Sequence, residues 1–246
     1  MTVDASAPAM ADCSLAAGLR LVVTVDGGAL ATELVAALSD HGALFATVSL
    51  SSSGKGDAQA AIAKAAEGWD GIDALIHAAP LPPDAKLATI AEMDAEAWIA
   101  HSEGPVKRQL WLFQAAYPFL KQRRGRIVVV QPNFGISGMI GATALGAAVE
   151  GQRILAKIAA RQWGKEGISA NALLVSPELL LPGIDPALVR KMAEAATGFL
   201  PPSLRPIGGT DVRRDIAPVV AFLASPGGGL VTGQTIVADG GSWMVP

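Results

Sequence analysis

His77, His101, Glu103 and Glu178 are side chains that an acid–base chemistry could recruit in this sequence. His77 sits at the end of an apolar run, DALIHAA (73–79), which places it at the tip of a strand. No nucleophile or paired carboxylate lies within sequence reach of it, so a structural role outweighs an acid–base one. A metal centre has no support, because Cys13 is the only cysteine and no Cys/His spacing matches a zinc site. Lys121, Arg123, Arg124 and Arg126 form a basic group at the end of a long helical segment. There they offset the negative end of the helix dipole and meet solvent, the alternative being an anion site for an acidic partner surface.

The elements that must position these groups alternate regularly. Strands are expected at RLVVTV (20–25), ALFATVSL (43–50), DALIHAA, RIVVV (126–130), ISANALLV (168–175) and QTIVADGG (234–241). Helices are expected over Glu33 to Ser39, over 56–69, near 94–121, near 142–163 and around Asp215 to Leu223. Strands separated by helices of this length predict an α/β fold, a Rossmann-like doubly wound parallel sheet in three α/β/α layers. Residues 1–246 read as one domain, with an N-terminal extension at 1–18 and an irregular, proline-rich stretch at 176–211 that holds a short helix near 186–197. That stretch would lie beyond the carboxyl ends of the strands, where open α/β sheets bind ligands. A net charge of −3 without a basic excess argues against nucleic acid. The first 18 residues lack the pattern of a secretory signal, and no segment reaches the ~18 uninterrupted apolar residues of a membrane span. A cytoplasmic protein is expected.

Three stretches resemble the short-chain dehydrogenase/reductase family: GRIVVV (125–130) its fifth strand, GISANAL (167–173) its sixth, and DIAPVVAFLAS followed by VTGQTIVADGG (215–241) its C-terminal signature. WDGIDALIHAAP (69–80) resembles the approach to its fourth strand. The resemblance implies the fold above and a set of site positions. The family's phosphate loop, T-G-x-x-x-G-x-G, falls on Thr24 to Ala31, where Val25, Ala29 and Ala31 replace the glycines. Asp26 would place a carboxylate beside a bound diphosphate, while Gly27 and Gly28 still suit a turn. Ser49 stands where an acidic residue would bind the adenosine ribose. Only 22 residues separate Ser49 from Ile72, room for one helix, so the family's third strand is expected to be missing. His77-Ala78-Ala79-Pro80 replaces N-N-A-G. The catalytic asparagine, serine, tyrosine and lysine map to Pro105, Pro132, Leu145 and Val149, none of which has a side-chain donor or acceptor. Tyr117 and Lys121 have the Y-x-x-x-K spacing, but they precede GRIVVV, across the sheet from the strands' carboxyl ends.

From these replacements the resemblance implies no hydride-transfer chemistry, no cofactor and no catalytic residue in this chain. The expectation is a non-catalytic subunit joined to an active short-chain dehydrogenase in a hetero-oligomeric alcohol or hydroxyacyl-CoA dehydrogenase. It would be similar in kind to the inactive subunit of the benzylsuccinate-pathway dehydrogenase. The helices near 98–121 and 142–163 would form the contact, as in the family's dimers, with a homodimer also open. The alternatives are a ligand-binding or regulatory protein using a vestigial cleft, an enzyme of another chemistry recruiting His77, His101, Glu103 or Glu178, and an NAD(P)-dependent oxidoreductase with a remodelled site.

Overall fold

Short runs of β-branched and aliphatic residues become six parallel strands in the computed structural model, which describes residues 14–26, 28–50, 54–79, 87–180, 207 and 210–244. The strands are β1 (Arg20–Thr24), β2 (Leu44–Val48), β3 (Ala74–Ala78), β4 (Arg126–Pro132), β5 (Ser169–Val175) and β6 (Thr235–Ala238), in the order β2-β1-β3-β4-β5-β6. Every pairing is parallel. β3 and β5 are buried along their whole length, as expected for strands covered on both faces by helices.

Two apolar layers flank the sheet. One packs Leu30, Leu34 and Leu38 of α1 (Ala29–Asp40) and Val220 and Leu223 of α7 (Ala217–Ala224) against Leu21, Ile76, Val128 and Leu173. The other packs Ile62 of α2 (Lys55–Ala65), Leu112, Ala116 and Leu120 of α4 (Gly104–Arg123) and Ala156 of α6 (Thr143–Trp163) against Val22, Leu75, Ile127 and Val129. Among the described residues a single helix, α2, joins β2 to β3, in keeping with the expected loss of the family's third strand, and β2 is left as a sheet edge.

The long helix expected near 94–121 is interrupted. α3 (Ala95–Trp98) runs into a wide turn over Ile99–Glu103 before α4 begins. Pro105 has no N–H for the carbonyl four residues back, and its ring crowds that carbonyl, which is why the helix widens there. A short α5 (Phe134–Ser137) that periodicity did not show follows β4 directly. The expected helix near 186–197, most of the 176–211 stretch and the first 13 residues lie outside the described residues. Among the described residues no helix is long and apolar enough to cross a membrane.

Candidate functional site

The chain turns one way from β1 to β2 and the other way to β3, so the carboxyl ends of β1 and β3 flank the switch point where open α/β sheets bind ligands. At that edge α1 presents its N-terminus. Gly28 caps it with φ +65, a conformation that glycine adopts at no steric cost, and no acidic residue lies in the first turn. Asp26 leans away from the helix toward the end of β2. Its Oδ1 accepts from the Ser49 hydroxyl at 2.5 Å and its Oδ2 from the Leu50 N–H at 2.6 Å. The carboxylate expected to repel a diphosphate thus brackets the two strand ends.

Leu145 and Val149 lie beside the carboxyl end of β4, the strand that ends on Pro132 and whose Gln131 bonds Val149 O, and what they make there is apolar. Leu145 and Val149 are fully buried with Phe134 and Ala142, and Leu87 and Met139 close over them. A strap holds that cover in place. Ala88 N–H donates to Gly141 O at 2.8 Å, and the Thr143 hydroxyl donates to Ala88 O at 2.8 Å. A Cβ on Gly135 would stand 2.6 Å from Val149 Cγ2, so glycine is what lets α5 press this closely on α6. Pro105 is buried in the first turn of α4. Water is excluded from the surroundings of Leu145, and none of these four side chains can donate or accept a hydrogen bond.

Polar atoms survive beside this plug. His77 on β3 is enclosed, its Nδ1 3.0 Å from Thr24 Oγ1, and either tautomer leaves Nε2 without a hydrogen-bond partner. Burial first, and then the positive charge of Arg108, lower its pKa from 6.5 to about 3, so the ring is neutral at physiological pH. Gln131 of β4 donates from Nε2 to Val149 O at 2.9 Å, while its Oε1 is buried and unpaired. Just past β4, Asn133 Nδ2 donates to Asp239 Oδ2 at 2.6 Å, which fixes the amide with Oδ1 unpaired. Asp239 is held in turn by the N–H groups of Gly241 and Trp243. At the end of β5 the Ser176 hydroxyl is also buried and unpaired. Asn133 N–H donates to Val175 O at 2.9 Å, so Asn133 and Ser176 occupy neighbouring strand ends. His77, level with Val129, lies four residues below Asn133, about 13 Å along the strand. It belongs to the floor of the site.

The remaining candidates are dispersed. The wide turn before α4 places His101 among its buried residues, with Nδ1 unpaired, and Glu103 bonds Lys107 at 2.9 Å. The Tyr117 hydroxyl donates to Glu166 at the opposite end of the sheet, and that bond raises the phenol pKa. The basic group is used internally: Lys121 pairs with Glu166, Arg123 with Asp73 and Asp70, and Arg126 donates to backbone carbonyls. Among the described residues no cluster of His, Cys, Asp and Glu could hold a metal ion.

A family model described as enoyl-(acyl carrier protein) reductase matches residues 6–242. The chain belongs to the short-chain dehydrogenase/reductase family. It is 31% identical over 181 residues to a 3-oxoacyl-(acyl-carrier-protein) reductase of Thermotoga maritima, covering 73% of this chain and 70% of that protein. It is 37% identical over 134 residues to a 7alpha-hydroxysteroid dehydrogenase of Bacteroides fragilis, a match that spans 54% of this chain and 49% of the relative. The crystal structure of Cj0485 dehydrogenase superimposes with a TM-score of 0.76 at 17% identity, covering 96% of this chain and 98% of that one, which shows the shared fold.

These relatives are named oxidoreductases, and that overturns the expectation that this chain is not an enzyme on its own. The physical error lay in reading four lost side chains as a lost reaction. Pro105, Pro132, Leu145 and Val149 identify groups that carry no proton, and they leave open which neighbouring groups face the substrate. The sequence reading passed over Asn133, Gln131 and Ser176. Their visible signal is a polar residue beside Pro132 and another at the end of β5.

Proposed function

We propose that this protein is an oxidoreductase of the short-chain dehydrogenase/reductase family that interconverts a carbonyl and a secondary alcohol in a remodelled site at the ends of β4 and β5. The observation that carries the reading is the pair of buried, unpaired polar atoms at those neighbouring strand ends, Asn133 Oδ1 and Ser176 Oγ. A buried polar atom without a partner costs roughly 1–3 kcal/mol, so two of them together at a ligand-binding edge favour a substrate that pairs them. Their chemistry is complementary. The Ser176 hydroxyl can donate to a carbonyl oxygen, and Asn133 Oδ1, aimed by Asp239, can accept from the corresponding alcohol. Leu87, Met139 and Phe134 favour an apolar substrate body, in keeping with relatives named for acyl and steroid substrates.

The residues at the β1–β2 end fit a nicotinamide dinucleotide. Asp26 and Ser49 offer acceptors for ribose hydroxyls, and Gly28 opens the N-terminus of α1 to a phosphate. When bound, that cofactor would supply or take the hydride, and the proton that accompanies it at the substrate oxygen would be exchanged with solvent through the Ser176 hydroxyl. The chain's own residues then orient the substrate oxygen between Ser176 and Asn133 and keep water from the Leu145–Val149 side. Outward aliphatic residues of α4 and α6, Leu110, Ile154 and Ile158, support pairing through these helices with a second copy or a related subunit.

The test is reduction of 3-oxoacyl thioesters and cyclic ketones by NADH or NADPH, in the wild type and in Ser176→Ala. A lost donor to the reacting oxygen lowers kcat about 10²-fold or more. Equal turnover by the two proteins removes Ser176 from the site, and the absence of turnover with either substrate class and either cofactor refutes the reading.

A further inference from the structure

Among the described residues β2 carries the plainest unpartnered surface. It is a sheet edge, and Leu44 and Phe45, consecutive residues on opposite faces of the strand, are 52% and 40% exposed. Protein edges are usually guarded by charge, proline or a bulge. Here no charged residue or proline occurs from Gly42 to Gly54, and the five-residue register with β1 is unbroken.

The hydrogen-bond pattern shows which backbone groups remain on offer. Leu44 N–H donates to Leu19 O, and Val48 O accepts from Val25 N–H, so Leu44, Ala46 and Val48 point their backbone groups at β1. Phe45 and Thr47 therefore point theirs outward. We infer that β2 pairs antiparallel with the β2 of a second copy about a two-fold axis through Ala46, giving one continuous twelve-stranded sheet. That axis sets Phe45 opposite Thr47 of the other copy and Thr47 opposite its Phe45. Both are hydrogen-bonded pairs in an antiparallel ladder, so every outward group of the two residues finds a partner. The side-chain pairings are an aromatic against a β-branched residue and Leu44 against Val48, both favourable across strands, and no like charges meet.

The helix beside the edge is compatible with such a neighbour. α2 buries Ala58 and Ile62 and partly buries Ala61 and Ala65; its exposed residues are the uncharged Gly56, Gln59, Ala60 and Ala63 together with Lys55, Asp57 and Lys64, charges of both signs that can pair across a two-fold axis. The occupant is a second copy because this register is self-complementary at each of its positions. The inference is independent of the proposed reaction and of pairing through α4 and α6.

The experiment uses the full chain and light scattering after gel filtration. Phe45→Lys/Thr47→Lys opposes lysines across the axis and should halve the mass of the wild-type assembly while leaving its circular dichroism unchanged. Mixing that variant with Phe45→Glu/Thr47→Glu should restore the mass through opposite charges. A wild-type monomer, or a folded lysine variant of unchanged mass, overturns the inference. So does slow amide exchange at Phe45 and Thr47 in a sample that is monomeric, because a segment of the same chain would then cover the edge.

Discussion

Replacing His77 by Leu should remove most of the acid sensitivity of this fold between about pH 8 and pH 5. The ring is sealed against Thr24, and burial with the nearby Arg108 charge lowers its pKa from 6.5 to about 3. The sign follows from where protons bind. Between those two values the unfolded chain holds a proton that the folded chain refuses, so stability is full above 6.5 and falls as pH drops toward 3. At about pH 5 the unfolded state gains about 2 kcal/mol from this one proton, with RT ln 10 taken as 1.36 kcal/mol. Leu has no proton to bind in either state. Urea unfolding with an m-value of about 2 kcal/mol/M should show the wild-type midpoint falling by about 1 M more than that of His77→Leu over this interval. The variant can be less stable at both pH values, since Thr24 loses a partner, and the comparison cancels that loss. Parallel decline of the two proteins would refute a buried neutral imidazole.

Restoring the family's pair as Leu145→Tyr/Val149→Lys should destabilise the protein. Both positions are fully buried and Val149 is pressed by Gly135, so overpacking of about 2 kcal/mol, before any cost of burying the new polar groups, should lower Tm by about 4–8 °C in a scanning experiment. An unchanged Tm would show that the plug has room. Tyr117 is the only tyrosine, so its ultraviolet titration is read directly. Its pKa is held above the usual value chiefly by the bond to Glu166, and Glu166→Gln should bring it down, whereas an unchanged titration would deny that contact in solution.

Much of the fold is legible in the residues, for identifiable reasons. IVVV (127–130) and ALLV (172–175) are apolar at successive positions because strands of a parallel sheet are covered on both faces, and β4 and β5 appear where those runs predict them. The 22-residue gap after Ser49 limits the chain to one helix, and α2 is that helix. Boundaries slipped where backbone conformation overrides periodicity. β6 ends at Ala238 because Asp239 turns back to its own neighbouring N–H groups and Gly240 and Gly241 adopt positive φ. The site was legible only as a list of losses. Leu145 and Val149 announce an absent proton donor, but that Phe134, Leu87 and Met139 would seal their place depends on a strap brought from 55 residues away. Asn133 and Ser176 are visible as polar residues at two strand ends, but their adjacency is created by the register of β4 with β5. Asp26 shows the same limit. Its charge is visible in the sequence, and its direction is set by Ser49 and Leu50 on another strand.

Fluorescence titration of the purified protein with NADH and NADPH addresses the central claim most directly, because an oxidoreductase in a remodelled site must still hold its hydride carrier. Saturable binding in the micromolar range, weakened when Asp26 is replaced by Asn and strengthened by a 3-oxoacyl thioester, is the predicted result. No saturable binding of either nucleotide, with and without that thioester, would contradict the account.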